Sequence, residues 1–187
     1  MPYALLSDIH GNMRALDAVL AELAVLGVDD AIVLGDVAQG GDEPGAVLDR
    51  LSELGWPVIL GNADAWLLDA DVEHADGPAR ERRAWTLAQL GDRHLGKIRA
   101  FPCSPGSYDD ILFPDTDDLS PWDVEGFDLL AGGHTHVQHV RRIGDAVYVN
   151  PGSVGVPVYR WNDRRPLPHA EYAILDGCSV EFRRCVY

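Results

Sequence analysis

The sequence predicts an α/β fold on parallel strands, and three observations carry that prediction. Apolar runs of strand length alternate with helix-patterned segments between residues 3 and 62. Each run stops at Gly, Asp or Asn without a hairpin turn. After residue 134 the texture changes to short strands joined by turns. Strand, helix, strand, helix, strand in that order argues for right-handed crossovers and a parallel sheet.

The elements are justified in turn. "YALL" at 3–6 reads as a short buried strand ending at Ser7-Asp8. Leu16, Val19, Leu20, Leu23 and Leu26 then share one helical face, with Gly27 as the stop. "AIVLGD" is the second strand. Asp42 and Pro44 suit the N-cap and first turn of a helix carrying Val47, Leu48, Leu51 and Leu54, closed by Gly55. "PVILGN" repeats the strand form, and helical segments are expected over 63–71 and 78–95. The run at 127–131 is a further buried strand. "THVQHVRRI", "DAVYVN", "AEYAILD" and "SVEFRRCVY" follow as strands, with turns at Gly144-Asp145 and Asp176-Gly177.

A chain of 187 residues can bury one sizeable core but is short for two, so a single domain over 1–187 is expected. The net charge of −15, from 30 acidic against 15 basic residues, argues against duplex nucleic acid or anionic membrane as partners. An anionic substrate would need a local source of positive charge. Cys103, Cys178 and Cys185 form no C-x-x-C pair, which suits a reducing compartment. No leader-like pattern opens the sequence and no stretch approaches about 18 apolar residues, so a cytoplasmic location is expected.

The chemistry collects where the apolar runs end. Asp8 and His10 follow the first, Asp36 the second, Asn62 the third, and His134 and His136 the run at 127–131. Carboxyl ends of parallel strands line one sheet edge, where ligands bind. On an extended backbone His134 and His136, two residues apart, would share a face and serve one site. Two Asp, one Asn and three His suit a borderline divalent transition metal, manganese foremost, with iron, cobalt, nickel or zinc as alternatives. Six ligands exceed what one open catalytic ion needs; two ions bridged by Asp36 would use them all. Two such ions against two carboxylates leave a local charge of about plus two. A small phosphate ester would find there the positive charge that the rest of the chain lacks, and a metal-bound hydroxide could attack its phosphorus in line.

With "DIHGN" at 8–12, "GD" at 35–36, "GNAD" at 61–64, "GHTH" at 133–136 and "NPGSVG" at 150–155, the sequence resembles the calcineurin-like metallophosphoesterases, closest to their small bacterial and archaeal phosphodiesterase branch. The resemblance implies a four-layer α-β-β-α sandwich with a dinuclear site, and hydrolysis of small phosphodiesters or nucleotides. It implies that Asp8, His10 and His136 hold one metal, Asn62 and His134 the other, and that Asp36 bridges, so that Asp36, Asn62 and His134 serve catalysis directly. Asn12 and Asp64 would stand behind the ligands or on the phosphate side. The 150–155 loop would shape the edge of the site.

Two departures matter. Many members of the family carry a His after the Gly-Asn of the third motif, able to protonate the leaving group; here Ala63 stands there. The family also supplies a His-Gly at the end of a further core strand, yet no histidine occurs from 95 to 133. One core strand and its ligand are therefore expected to be missing, with water, Cys103 or His94 as candidate replacements at the second metal. His74, His139 and His169 are read as surface or structural. A lost strand would leave an edge open to homodimerisation. The alternative to an enzyme is a catalytically impaired member serving as a binding scaffold, as a retromer subunit resembling this family does. A plain nucleotide-binding α/β protein is disfavoured, since G-x-G-x-x-G and G-x-x-x-x-G-K-[ST] are both absent.

Overall fold

Alternation along β1 (Tyr3–Leu6) sets the layering of the molecule. Ala4 and Leu6 pack against Ala15, Leu16, Val19 and Leu23 of helix α1 (Met13–Leu26) on one side of the strand. Leu5, pointing the other way, joins Val149 and Ala173 in a second cluster. Period-two side chains thus give one strand two cores. The computed structural model describes residues 1–69, 76–99, 111–122, 125–160, 165–177 and 179–187.

Two sheets result. The first has the order β2-β1-β6-β7, from β2 (Ala31–Val33), β1, β6 (Ala170–Asp176) and β7 (Ser179–Cys185). β1 and β2 are parallel, Ala4 opposite Ala31, whereas β6 runs antiparallel to β1, Leu5 opposite Ala173. The second sheet is β3-β5-β4, from β3 (Leu129–Ala131), β5 (Ala146–Asn150) and β4 (His139–Ile143). The parallel β3–β5 pair sets Ala131 opposite Val149. Leu5 and Leu175 of the first sheet meet Val149, Leu129 and Ala131 of the second, so the inner core lies between the sheets.

Helices cover the outer face of the first sheet. α1 starts at Asn12, whose side chain accepts a hydrogen bond from Ala15 N, and ends at Gly27 in the left-handed region. α2 (Pro44–Leu54) buries Val47, Leu48 and Leu51 in the same core. Its cap position is Glu43, one residue beyond the expected Asp42, with the Glu43 N–H donating to Gly11 O. α3 (Asn62–Leu68), α4 (Gly77–Gln89) and α5 (Asp92–Arg99) pack around α2 and one another. The outer face of the second sheet is closed by Leu112, Leu119 and Trp122, on a segment with a single 3₁₀ turn at Ser120–Trp122. The layers follow the order of the expected α-β-β-α sandwich, with that short turn as the helical part of the fourth layer among the described residues.

Three expectations are corrected. "PVILGN" makes one bridge, Val33 to Val58, in which Val33 N donates to Pro57 O and Ile59 N to Val33 O, and Pro57 has no N–H to extend the pairing toward its N-terminal side. The helix expected over 78–95 is two helices, interrupted at Leu90-Gly91. The strand expected from 135 begins only at His139. Cys103, Cys178, His74 and most of the stretch where a strand is expected to be missing lie outside the described residues; among those that are described, the second sheet ends at β3.

Candidate metal centre

The loops after β1, after β2, before α3 and after β3 meet at one edge of the sandwich. Backbone bonds hold them together: Asp8 N to Gly35 O at 3.1 Å, His10 N to Asp36 O at 2.9 Å and Gly11 N to Val37 O at 2.8 Å. Five of the six expected ligands, Asp8, His10, Asp36, His134 and His136, have positive φ, between 50° and 71°. Left-handed backbone is uncommon outside Gly, although Asp and His adopt it more readily than most residues, and it concentrates at functional sites. This corrects the premise that His134 and His136 share a strand face. The chain turns at each histidine, and the two rings go to different neighbours.

Asp8, His10 and His136 form a compact set, with one donor atom from each within 4.8 Å of the others. His136 Nε2 lies 3.2 Å and His10 Nε2 3.8 Å from Asp8 Oδ1, and the two Nε2 atoms are 3.1 Å apart. The opposite ring nitrogens are already engaged. His10 Nδ1 faces Gln39 O at 2.6 Å, and His136 Nδ1 faces Val156 O at 2.8 Å. A carbonyl only accepts, so each Nδ1 carries the proton, and a neutral ring keeps a bare Nε2 lone pair. With both rings neutral, two bare lone pairs and a carboxylate oxygen converge on one point. Donors about 2.1 Å from a common ion and at right angles to each other would be about 3 Å apart, so this set fits a transition-metal ion.

A second pair lies beside the first. Asn62 Oδ1 and His134 Nδ1 are 2.7 Å apart, and His134 N donates to Asp8 Oδ2 at 3.0 Å. Asp36 lies close enough to both groups for its carboxylate to feel the charges of Asp8, His10 and His134. Its Oδ1 accepts from Ala63 N at 2.8 Å. All six expected ligands are thus brought together. Asn12 and Asp64 serve the frame. Asn12 Nδ2 donates to Gly155 O and Tyr187 Oη, both at 3.0 Å, so its amide is turned away from any phosphate side. Asp64 is buried behind Asp36 and accepts from Val37 N and Ala38 N at 3.1 Å.

Charge is unevenly distributed in the centre. Burial pushes the Asp8 carboxyl up, but the His136 charge and hydrogen bond, with help from His10, hold it at about 2. Burial also pulls His136 down, and Asp8 outweighs this to raise it to about 9. Asp36 is shifted up by burial and by Asp8, and Asp64 is pushed to about 7 by burial and by Asp36. Without a cation, one proton on His136 does part of a cation's work.

The sequence reading placed the 150–155 loop at the edge of the site but missed the bonds by which it aims these ligands. Ser153 Oγ donates to Asp8 O at 2.7 Å and accepts from Val156 N, while Asn150 Nδ2 donates to Gly133 O at 2.7 Å. Polar Asn150 and Ser153 closing an apolar strand were the available signal; the Gln39 and Val156 carbonyls had none, being backbone. His94 does not join the centre: it packs on α2, 3.4 Å from Asp49, and accepts from Gly91 N. His169 pairs with buried Glu171, and His139 stacks on Tyr148.

An α/β sandwich that gathers Asp, Asn and His at its strand ends has the donor set of a metal-binding fold. The comparisons narrow that class. The profile of the calcineurin-like phosphoesterase superfamily domain matches residues 1–179, and the chain belongs to that superfamily. It is 28% identical over 161 residues to the phosphodiesterase YfcE of Escherichia coli K12, covering 81% of this chain and 78% of that protein. A metallophosphoesterase structure from Sphaerobacter thermophilus is similar with a TM-score of 0.75 and 25% identity, over 100% of this chain and 89% of the other. The hypothetical protein PH1004 of Pyrococcus horikoshii has the same fold, with a TM-score of 0.85 at 20% identity, over 100% and 88% of the two chains.

Proposed function

We propose that the protein is a metal-dependent phosphodiesterase acting on small phosphodiesters at a dinuclear centre, in which Asp8, His10 and His136 hold one ion, Asn62 and His134 the other, and Asp36 bridges. The observation that carries this reading is the pair of opposed Nε2 atoms on His10 and His136, 3.1 Å apart beside Asp8. When bound, two divalent ions of the manganese kind supply Lewis acidity toward phosphoryl oxygens and acidify water.

The chain's own residues set up the rest. Gln39 O and Val156 O fix the tautomers of His10 and His136, and Ser153 anchors the backbone of Asp8. Asp36 is held by Ala63 N, so its orientation is set before substrate arrives. Ala63 offers no titratable side chain, so the leaving group must leave without protonation from that position. Esters of acidic alcohols and phenols are the substrates this favours.

The test is Asp36→Ala. Manganese-supported hydrolysis of a nitrophenyl phosphodiester should fall by at least about a hundredfold, as loss of a major electrostatic group does. Activity unaltered by that change would overturn the assignment. A binding scaffold is the second reading, favoured by Ala63. Metal analysis separates the two, with close to two ions per chain expected of the enzyme.

A further inference from the structure

We propose that Tyr159 and Arg160 form a recognition platform at the rim of the metal centre, selecting phosphodiesters that carry a nucleoside. The proposal rests on the phosphodiesterase reading and names its substrate class. Its basis is the segment that follows the 150–155 loop. Val156 O accepts from His136 Nδ1, and Val158 N donates to His136 O at 3.3 Å, so this segment is bound directly to a ligand residue. Its other side is bound as well: Val158 bridges Pro166, and Leu167 N donates to Pro157 O at 2.8 Å.

Pro157 and Val158 are buried, and the next two residues emerge into solvent. Tyr159 is 71% exposed, the most exposed aromatic ring among the described residues. Arg160 places its guanidinium over that ring, 5.6 Å from the centroid. Tyr159 and Arg160 follow Val158, whose N–H is bonded to His136 O, by one and two residues, a backbone span of at most about 7 Å, so the pair is within a nucleotide's reach of His136.

The two side chains divide the recognition. A guanidinium stacked on an aromatic face keeps its N–H edge free for a phosphate oxygen, and a ring 71% exposed leaves area on which a nucleobase could stack. Stacking on such a ring tolerates any base, so selection is for a nucleoside and not for one sequence. On a chain of net charge −15, an exposed arginine two residues beyond the segment bonded to His136 is also a local attractor for an anionic ester.

The experiment compares manganese-loaded wild type, Y159A and R160A on two esters with the same leaving group. These are methyl 4-nitrophenyl phosphate and the 4-nitrophenyl ester of thymidine 5′-phosphate. The wild type should prefer the nucleotidyl ester in kcat/KM, and each variant should lose about tenfold of that preference, mainly through KM. A preference within twofold of wild type in both variants would overturn the platform. If the metal-loaded wild type hydrolyses neither ester, the phosphodiesterase reading fails instead. Calorimetric titration with adenosine 5′-monophosphate then decides the platform: about tenfold weaker binding to the variants supports it, and equal binding overturns it.

Discussion

His10 and His136 present their Nε2 atoms to each other at 3.1 Å, across 126 residues of sequence, while a backbone carbonyl takes the far nitrogen of each ring. Only a cation or a proton relieves that opposition. His136→Ala should therefore weaken manganese binding by more than the roughly 10–100-fold that loss of a ligand's supporting partner costs. Calorimetric titration of the folded variant reads this directly; affinity equal to wild type would remove His136 from the centre.

The same pair sets a pH dependence. Asp8 is held at about 2, below its ordinary 3.8, so its contribution to stability is present above 3.8 and lost as pH falls toward 2. His136 is raised from 6.5 to about 9, so its contribution is present below 6.5 and lost as pH rises through 9. An incoming divalent ion must displace the His136 proton. Apparent metal affinity should accordingly climb by up to about tenfold per unit between roughly pH 7 and 9. Titrations in buffers of different ionisation enthalpy count the proton, and no release at neutral pH would contradict the assignment.

Asp64 separates acceptor from charge. Its carboxyl accepts from Val37 N and Ala38 N in a fully buried place, so Asp64→Ala orphans two N–H groups and should cost about 2–4 kcal/mol in urea unfolding. Asp64→Asn keeps an acceptor and should stay within about 1 kcal/mol at neutral pH. The wild-type group, raised from 3.8 to about 7, makes metal-free stability fall as pH rises through that interval. The Asn variant should show a flatter profile, measured by melts at pH 5 and 8.

Gly61→Ala should act on Asp36. A Cβ there would come within 2.1 Å of Asp36 Oδ1 and 2.3 Å of Asp36 N, contacts no side chain tolerates. The loop must move, so both the melting temperature and the bound-metal stoichiometry should drop. A variant holding the wild-type metal content would show that Asp36 need not be placed as it is.

Asn12→Ala tests a residue that serves the frame. It removes the α1 cap and two bonds to Gly155 O and Tyr187 Oη, with an expected cost of about 1–2 kcal/mol. Metal stoichiometry should remain that of wild type. Loss of metal without loss of stability would place Asn12 at the ions instead.

The periodicity of α1 and α2 was legible because an apolar stripe ending at Gly27 or Gly55 has one economical solution. That these six residues meet was legible for a related reason: Asp, Asn and His at the ends of parallel strands lie along one sheet edge. The extended His134-x-His136 geometry failed because local pattern carries no information on the sign of φ, which is positive at both. The break at Leu90-Gly91 was missed since α4 and α5 present similar polar surfaces with few buried side chains to mark a change of direction.

By itself the sequence determined the donor chemistry, the order of the elements and the faces they bury, because those follow from residue type and spacing along a local backbone. Tertiary structure alone decided how the donors point. The carbonyls that fix His10 and His136 lie 29 and 20 residues away, at Gln39 and Val156, and the left-handed turns at Asp8, His10, Asp36, His134 and His136 persist only because the closed sandwich holds them. Long-range hydrogen bonds form when the chain has already folded, and no local pattern encodes them.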